Sequence, residues 1–206
     1  MAEPRRLIAT QREPVWSRPD RSGAALIRRV AEAAARKGVA LDIRILPASA
    51  DTSEEAATAV RAELGQIAKA IVLVAPRPEG RLIPIVCIVS GRNQIDLGLV
   101  AAVTGEISVR EATAREAGDL TGYSMGGIPP FGHGRDVRIV MDQDLCRYES
   151  VWAAAGTGSA FFRVAPRTLR MLSNAIVAAV ARAPWMHAVA ARATQPRLQF
   201  EVGTGA

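Results

Sequence analysis

The stretch LTGYSMGGIPPFGHG, running from Leu120 to Gly134, decides how the rest of the chain is read. It carries Gly122, Gly126, Gly127, Gly132 and Gly134, with the pair Pro129 and Pro130 among them. Glycine loses the most freedom on ordering and proline lacks a backbone donor, so the run is a long loop rather than a helix or a central strand. Most glycine-proline clusters only punctuate the chain. Tyr123, Met125, Ile128 and Phe131 argue for more, because a purely solvated turn needs no large apolar side chains. Glycines also let backbone N–H groups approach a bound molecule, and prolines stiffen the turn that presents them. The loop is therefore read as the wall of a pocket.

Upstream of it the pattern alternates between helix and strand. A helix starts at Ser22, with Leu26, Ile27, Val30 and Ala34 at helical spacing, and closes at Gly38. Leu41, Ile43 and Ile45 alternate with polar residues as a strand buried on one face. Asp51, Thr52 and Ser53 ahead of Glu54 and Glu55 cap a helix that continues through Leu64 to Gly65. Lys69 then leads into the strand Ile71 to Ala75, and Pro76 to Gly80 connect it to an apolar strand over Leu82 to Val89. Pro84 marks an edge or a bulge in that strand. Short helices are expected over residues 97–103 and 110–117.

Downstream, Val137 to Met141 reads as a strand and Asp142 starts a helical turn. Val151 to Ala155 and Ala160 to Val164 form a hairpin around Gly156-Thr157-Gly158-Ser159. Pro166 opens a last helix, with Leu169, Leu172, Ile176 and Val180 on one face. Interleaved helices and hairpins without a regular repeat predict a mixed, mostly antiparallel sheet.

At 206 residues the chain is read as one domain over 21–182, with a basic N-terminal tail over 1–20 and a C-terminal tail over 183–206. No apolar run reaches the ~20 residues of a membrane span, and the Arg- and Pro-rich start does not resemble a signal peptide, so a cytoplasmic location is expected. Cys87, Cys146, His133 and His187 lack the close spacing of a structural metal site, and neither metal nor cofactor is expected. A Cys146 nucleophile with His133 is the weaker reading, since such a cysteine is more often a small core residue. The net charge of +6 is polarised: residues 1–29 hold seven arginines against three acids, and residues 163–206 hold six against one. Basic ends suit contact with a polyanion, although solvated tails explain them as well. Against 24 arginines there are only two lysines, Lys37 and Lys69. Lys69 sits on the edge of an apolar run, where a compact ammonium has a use that a planar guanidinium lacks. Lys37 reads as an ordinary cation at the C-terminus of the first helix.

Taken in order, the lysine of QIAKAIVLVA, the loop TGYSMGGIPPFG, the segment RIVMDQDLCRYESV, the hairpin AAAGTGSAFFRV and the closing PRTLRMLSNAIVAAV resemble the YbaK/EbsC family. That family includes the editing domain of bacterial prolyl-tRNA synthetases and its freestanding relatives, and the resemblance spans about Ala48 to Val180. It implies an α/β fold with a curved, barrel-like sheet flanked by helices, and hydrolysis of a misacylated aminoacyl-tRNA carrying a small amino acid. By the same resemblance Lys69 is required for activity and engages the terminal nucleotide of the tRNA acceptor end. Gly126, Gly127 and Pro130 set the loop against the ester, while Ile128, Pro129, Phe131 and Gly156 contact the substrate. Asp142 is a structural helix cap, and the ribose hydroxyl of the tRNA assists, which accounts for the missing general base. An aminoacyl ester is already activated, so backbone donors for the oxyanion can carry much of the catalysis. Ala70 stands where many relatives have a hydroxyl or amide residue, and the turn Ser90 to Asn93 also departs from theirs, so the selected amino acid does not carry over. Two alternatives use the same pocket: a non-catalytic module that binds aminoacyl-tRNA or docks on an aminoacyl-tRNA synthetase, and a hydrolase of other small acyl esters.

Overall fold

The computed structural model describes residues 22–182. The two expected tails, with Val15, Trp16 and His187, lie outside the described residues. Helix α1 (Gly23–Ala35) begins where Ser22 Oγ accepts from the Ala25 amide, and it turns Leu26, Val30 and Ala34 inward. After strand β1 (Ile43–Ile45) comes α2 (Ser53–Val60), held by a reciprocal cap between Thr52 and Glu55. The helix expected to reach Leu64 stops earlier, because Arg61 turns left-handed at φ 58° and Leu64–Gln66 form a separate 3-10 turn. Strands β2 (Ala68–Pro76) and β3 (Leu82–Ser90) lead to α3 (Leu97–Thr104), which starts at the Asp96 cap.

Two further expected helices are corrected. Residues 110–117 are not one helix: β4 (Arg110–Glu111) pairs with β2, and α4 (Ala114–Thr121) starts only at Thr113, whose hydroxyl and the Glu116 carboxylate cap each other's amides. Beyond β5 (Arg138–Asp142), the 3-10 turn Gln143–Arg147, β6 (Val151–Ala154) and β7 (Ala160–Val164), helix α5 covers only Pro166–Ser173. Asn174 ends it at φ 51°, and Lys37 Nζ, from beyond α1, donates to the Met171 and Leu172 carbonyls and to Asn174 Oδ1 at 2.9–3.0 Å. Lys37 therefore closes a helix distant in sequence rather than its own. Ile176 and Val177, β-branched and poor helix formers, continue as strand β8 (Ile176–Ala178) beside β5.

The strands form two sheets, ordered β1-β7-β6 and β4-β2-β3-β5-β8. Four of the six pairings are antiparallel; β3 with β5 and β5 with β8 are parallel. Among the described residues one parallel bridge, Ile67 to Trp152, links the ladders of the two sheets, too short to close the expected barrel-like sheet into a barrel. β3 reads as a continuous apolar run because both its faces are buried. Val86 and Ile88 face a core built with α1, α5 and the inner face of the three-stranded sheet, while Ile85, Cys87 and Val89 face α3. A third core packs α2 on the outer residues Trp152 and Phe161. Pro84 makes no bulge: it pairs with Val74 in unbroken register, in the part of β3 that β5 does not reach. The strand near Ile45 is less buried than its alternation suggested, since Ile45 is 67% exposed.

Glu106, buried after α3, is clasped by Arg77 and by Arg138, whose Nη1 lies 2.9 Å from its carboxylate. Hydrogen bonding from Arg77, with that from Arg138, outweighs the desolvation of the carboxyl and holds it below the ordinary carboxylate value. Among the described residues no helix is long and apolar enough to cross a membrane.

Candidate functional site

A cavity of about 230 Å³ opens where β2, the start of α2, the β6–β7 hairpin and the glycine loop meet. Lys69 and Ala70 line it from β2, Asp51, Thr52 and Ala56 from α2 and its approach, Gly126 and Ile128 from the loop, and Ala154 and Phe161 from the hairpin. Most of this lining is apolar, five alanines among it, with one lysine and one aspartate as its charged side chains.

Lys69 comes from a strand residue held by its neighbour, pairing with Val89 in β3. Its Nζ reaches the Gly91 carbonyl only at 3.5 Å, so the ammonium is lightly held. Partial burial pushes its pKa below the ordinary lysine value, and the nearby Glu54 carboxylate works against that loss. The result is a cation with a thinned hydration shell beside an open cavity, where its field is stronger than in water.

The glycine loop is a closed structure in its own right. Tyr123 donates its hydroxyl to the Gly132 carbonyl at 2.8 Å, the Gly134 amide reaches back to the Thr121 carbonyl, and the Arg29 guanidinium lies over the Tyr123 ring. Within it, Ser124 to Gly127 form a β-turn closed by the Gly127 amide on the Ser124 carbonyl at 3.0 Å. Gly126 takes the third position at φ +82°, the value that a type II turn reserves for glycine. Gly127 is needed for close approach: a Cβ there would stand 2.6 Å from the Thr157 Cα. The loop thus rests on the hairpin turn, and that turn in turn rests on α1, since a Cβ at Gly156 would meet the Leu26 backbone at 2.9 Å.

Of the residues singled out from the sequence, Lys69, Gly126 and Ile128 meet at the cavity. Gly127 and Gly156 lie in the supporting contacts just described, with the Gly127 amide already donated to Ser124. Pro129 and Pro130 are buried without lining the cavity. Phe131 is buried against Phe162, ring centres 5.6 Å apart, and borders a different hollow with His133 and Arg135. Asp142, 1% exposed, takes hydrogen bonds from the Asn93 side chain and the Asp144 amide, and burial pushes its carboxyl above the ordinary value. His133 donates Nε2–H to the Pro129 carbonyl, and burial lowers its pKa, so the ring is a neutral strut of the loop. Cys146 is exposed, contrary to the core role expected of it, and lies in a separate hollow with Tyr148 and Pro166. Cys87 is buried in the sheet, where its thiol is pushed up to about 12, beyond nucleophilic use.

Asp51, Ala154 and Phe161 line the cavity without having been singled out. Asp51 had been absorbed into a helix cap; Thr52 and Glu55 do the capping without its side chain, and Asp51 is part of the cavity lining. Ala154 and Phe161 arrive only through the folding of the hairpin against α2, which no local spacing announces.

Residues 47–172 match the family model of the aminoacyl-tRNA editing domain. A crystal structure of a candidate trans-editing enzyme for prolyl-tRNA synthetase is 41% identical, with a TM-score of 0.69, over 77% of this chain and 98% of that one. The EbsC protein of Enterococcus faecalis, a candidate Cys-tRNA(Pro)/Cys-tRNA(Cys) deacylase, is 24% identical over 60% of this chain and 73% of its own. The YwhH protein of Bacillus subtilis is 28% identical over 64% of this chain and 81% of its own.

Proposed function

The chain belongs to the aminoacyl-tRNA editing domain family, and from this premise we propose that it is a freestanding deacylase that hydrolyses the ester of a tRNA misacylated with a small amino acid. The observation that carries the reading is the meeting of Lys69, Gly126 and Ile128 around one small, alanine-lined cavity. Water attacks the ester carbonyl carbon, the carbonyl oxygen takes up negative charge, and the bond to the ribose oxygen then breaks as that oxygen receives the proton that the attacking water gives up, leaving the free amino acid and the tRNA hydroxyl. The backbone amides of Gly126 and Ile128 serve as donors to the developing oxyanion, since the Gly127 amide is engaged by Ser124. Lys69 adds positive charge toward the same oxygen or the terminal phosphate, strengthened by its partial burial. Ala56, Ala70 and Ala154 in its lining leave room for a small side chain.

The test is hydrolysis of a panel of tRNAs charged with small residues (alanine, cysteine, serine, threonine) and with large ones (leucine, phenylalanine). Release confined to the small esters is expected. Equal release of leucine and phenylalanine would refute the size selection, and indifference to trimming the tRNA to its terminal adenosine would favour a general acyl esterase.

A further inference from the structure

We propose that Asp51 recognises the free α-ammonium of the aminoacyl group, so that the site accepts aminoacyl esters and discriminates against N-acylated ones; this rests on the deacylase reading above. An aminoacyl ester carries its amine on the carbon next to the reacting carbonyl, so a site that binds the carbonyl has the amine within reach. Asp51, on the approach to α2, is the one acidic residue in the lining of the cavity that Lys69 lines from β2.

The carboxylate is held in place by the chain around it. The Leu46 amide donates to the Ser159 carbonyl at 2.7 Å and the Ala50 amide to the Gly158 carbonyl at 2.9 Å, fastening this segment to the hairpin turn. Ser49 packs so closely on that turn that a Cβ at Gly158 would stand 2.3 Å from its Oγ, and the same Oγ donates to Asp51 Oδ1 at 3.1 Å. The Asp51 amide goes to the Glu55 carboxylate, part of a cap that does not use the Asp51 side chain. No ion pair to Asp51 forms among the described residues, and the carboxylate that acts on Lys69 is that of Glu54. Asp51 is thus a positioned carboxylate with a free oxygen and no cation. An acid before a helix also favours the helix dipole, but that role makes no distinction between two substrates.

The experiment compares Asp51→Asn with the natural chain on two esters of one tRNA, charged with the amino acid released fastest in the panel, its amine either free or acetylated. Each rate is divided by the uncatalysed rate of the same ester, measured at a pH where the amine is protonated. Asparagine keeps the shape and the acceptor for Ser49 but loses the charge. A charge-assisted hydrogen bond at an exposed carboxylate leads us to expect that kcat/KM for the free-amine ester falls about tenfold while that for the acetylated ester is unchanged. Equal natural rates on both esters, or equal slowing of both by the substitution, overturns the inference and leaves the deacylase reading standing. If neither ester is hydrolysed above background, the deacylase reading fails and the inference with it.

Discussion

Replacing Gly127 by alanine tests whether the cavity wall is held by the contact between the glycine loop and the hairpin. The added Cβ would lie 2.6, 2.8 and 2.9 Å from Thr157 Cα, C and N. Carbon contacts settle at about 3.5–4.0 Å, so one backbone must retreat by about 1 Å. The hairpin turn cannot yield readily, because Ala155 and Ala160 share a 2.7 Å backbone hydrogen bond and Gly156 is pressed on α1. The loop moves instead and carries Gly126 and Ile128 with it. Overpacking of this kind costs about 1–3 kcal/mol of stability, and a ~1 Å misplacement of positioning groups can cost ~100-fold in rate. Gly126→Ala is the contrast: nothing lies within 4 Å of its Cβ, and the penalty is the ~1–2 kcal/mol of a left-handed residue, with no clash to displace the loop. Urea unfolding and single-turnover deacylation of both variants make the comparison. Because the clash is with main-chain atoms, adding Thr157→Gly should not rescue Gly127→Ala. A Gly127→Ala protein with natural stability and rate, or one rescued by Thr157→Gly, would refute the reasoning.

Asn93→Ala removes the donor that bridges the Asp142 and Asp144 carboxylates at 2.6 and 2.9 Å. With Asp142 buried, a loss of about 1–3 kcal/mol in urea unfolding is expected, partly recovered by adding Asp142→Asn. Glu106 has a folded pKa below its unfolded one, so its contribution to stability is full above the unfolded value of 4.5 and is lost as pH falls through the folded value. Glu106→Gln should therefore lower stability at pH 7 and flatten the decline below pH 4.5, as measured by unfolding at a series of pH values. Lysine labelled with carbon-13 gives signals from two residues only, Lys37 and Lys69. The signal removed by Lys69→Arg should titrate below 10.5, and background-corrected deacylation should fall with the same midpoint as pH rises, because the charged form is the active one.

What local chemistry determines was legible in the sequence. The cap among Asp51, Thr52 and Ser53, the β6–β7 hairpin around Gly156 and the existence of the apolar strand β3 follow from hydroxyl-to-amide bonding, turn geometry and a run of apolar residues, whereas the choice of Thr52 as the cap and the burial of β3 on both faces do not. The loop from Leu120 to Gly134 was legible as a pocket wall for the same reason. Its partition was not: Gly126 faces the cavity, while Gly127 is small because Thr157, thirty residues later, occupies the place of its side chain. The end of α5 likewise depends on Lys37, whose ammonium caps carbonyls 134 and 135 residues away. Helical spacing at Ile176 and Val180 continued past Asn174, yet the two residues belong to different surroundings: Ile176 is exposed at a strand edge and Val180 is buried with α3. Such contacts between distant segments set what the cavity is lined with, and periodicity carries no record of them.

The central claim is that Lys69 at this cavity makes the chain a hydrolase of aminoacyl-tRNA rather than a binder of it. Single-turnover deacylation of alanyl- and cysteinyl-tRNA by the natural chain, Lys69→Ala and Lys69→Arg, with tRNA binding followed in parallel, tests it most directly. The account predicts rapid release by the natural chain, loss of release in both variants, and retained binding of the tRNA body. Release that persists undiminished in Lys69→Ala, or bound esters that survive the natural chain across the whole panel, would contradict it.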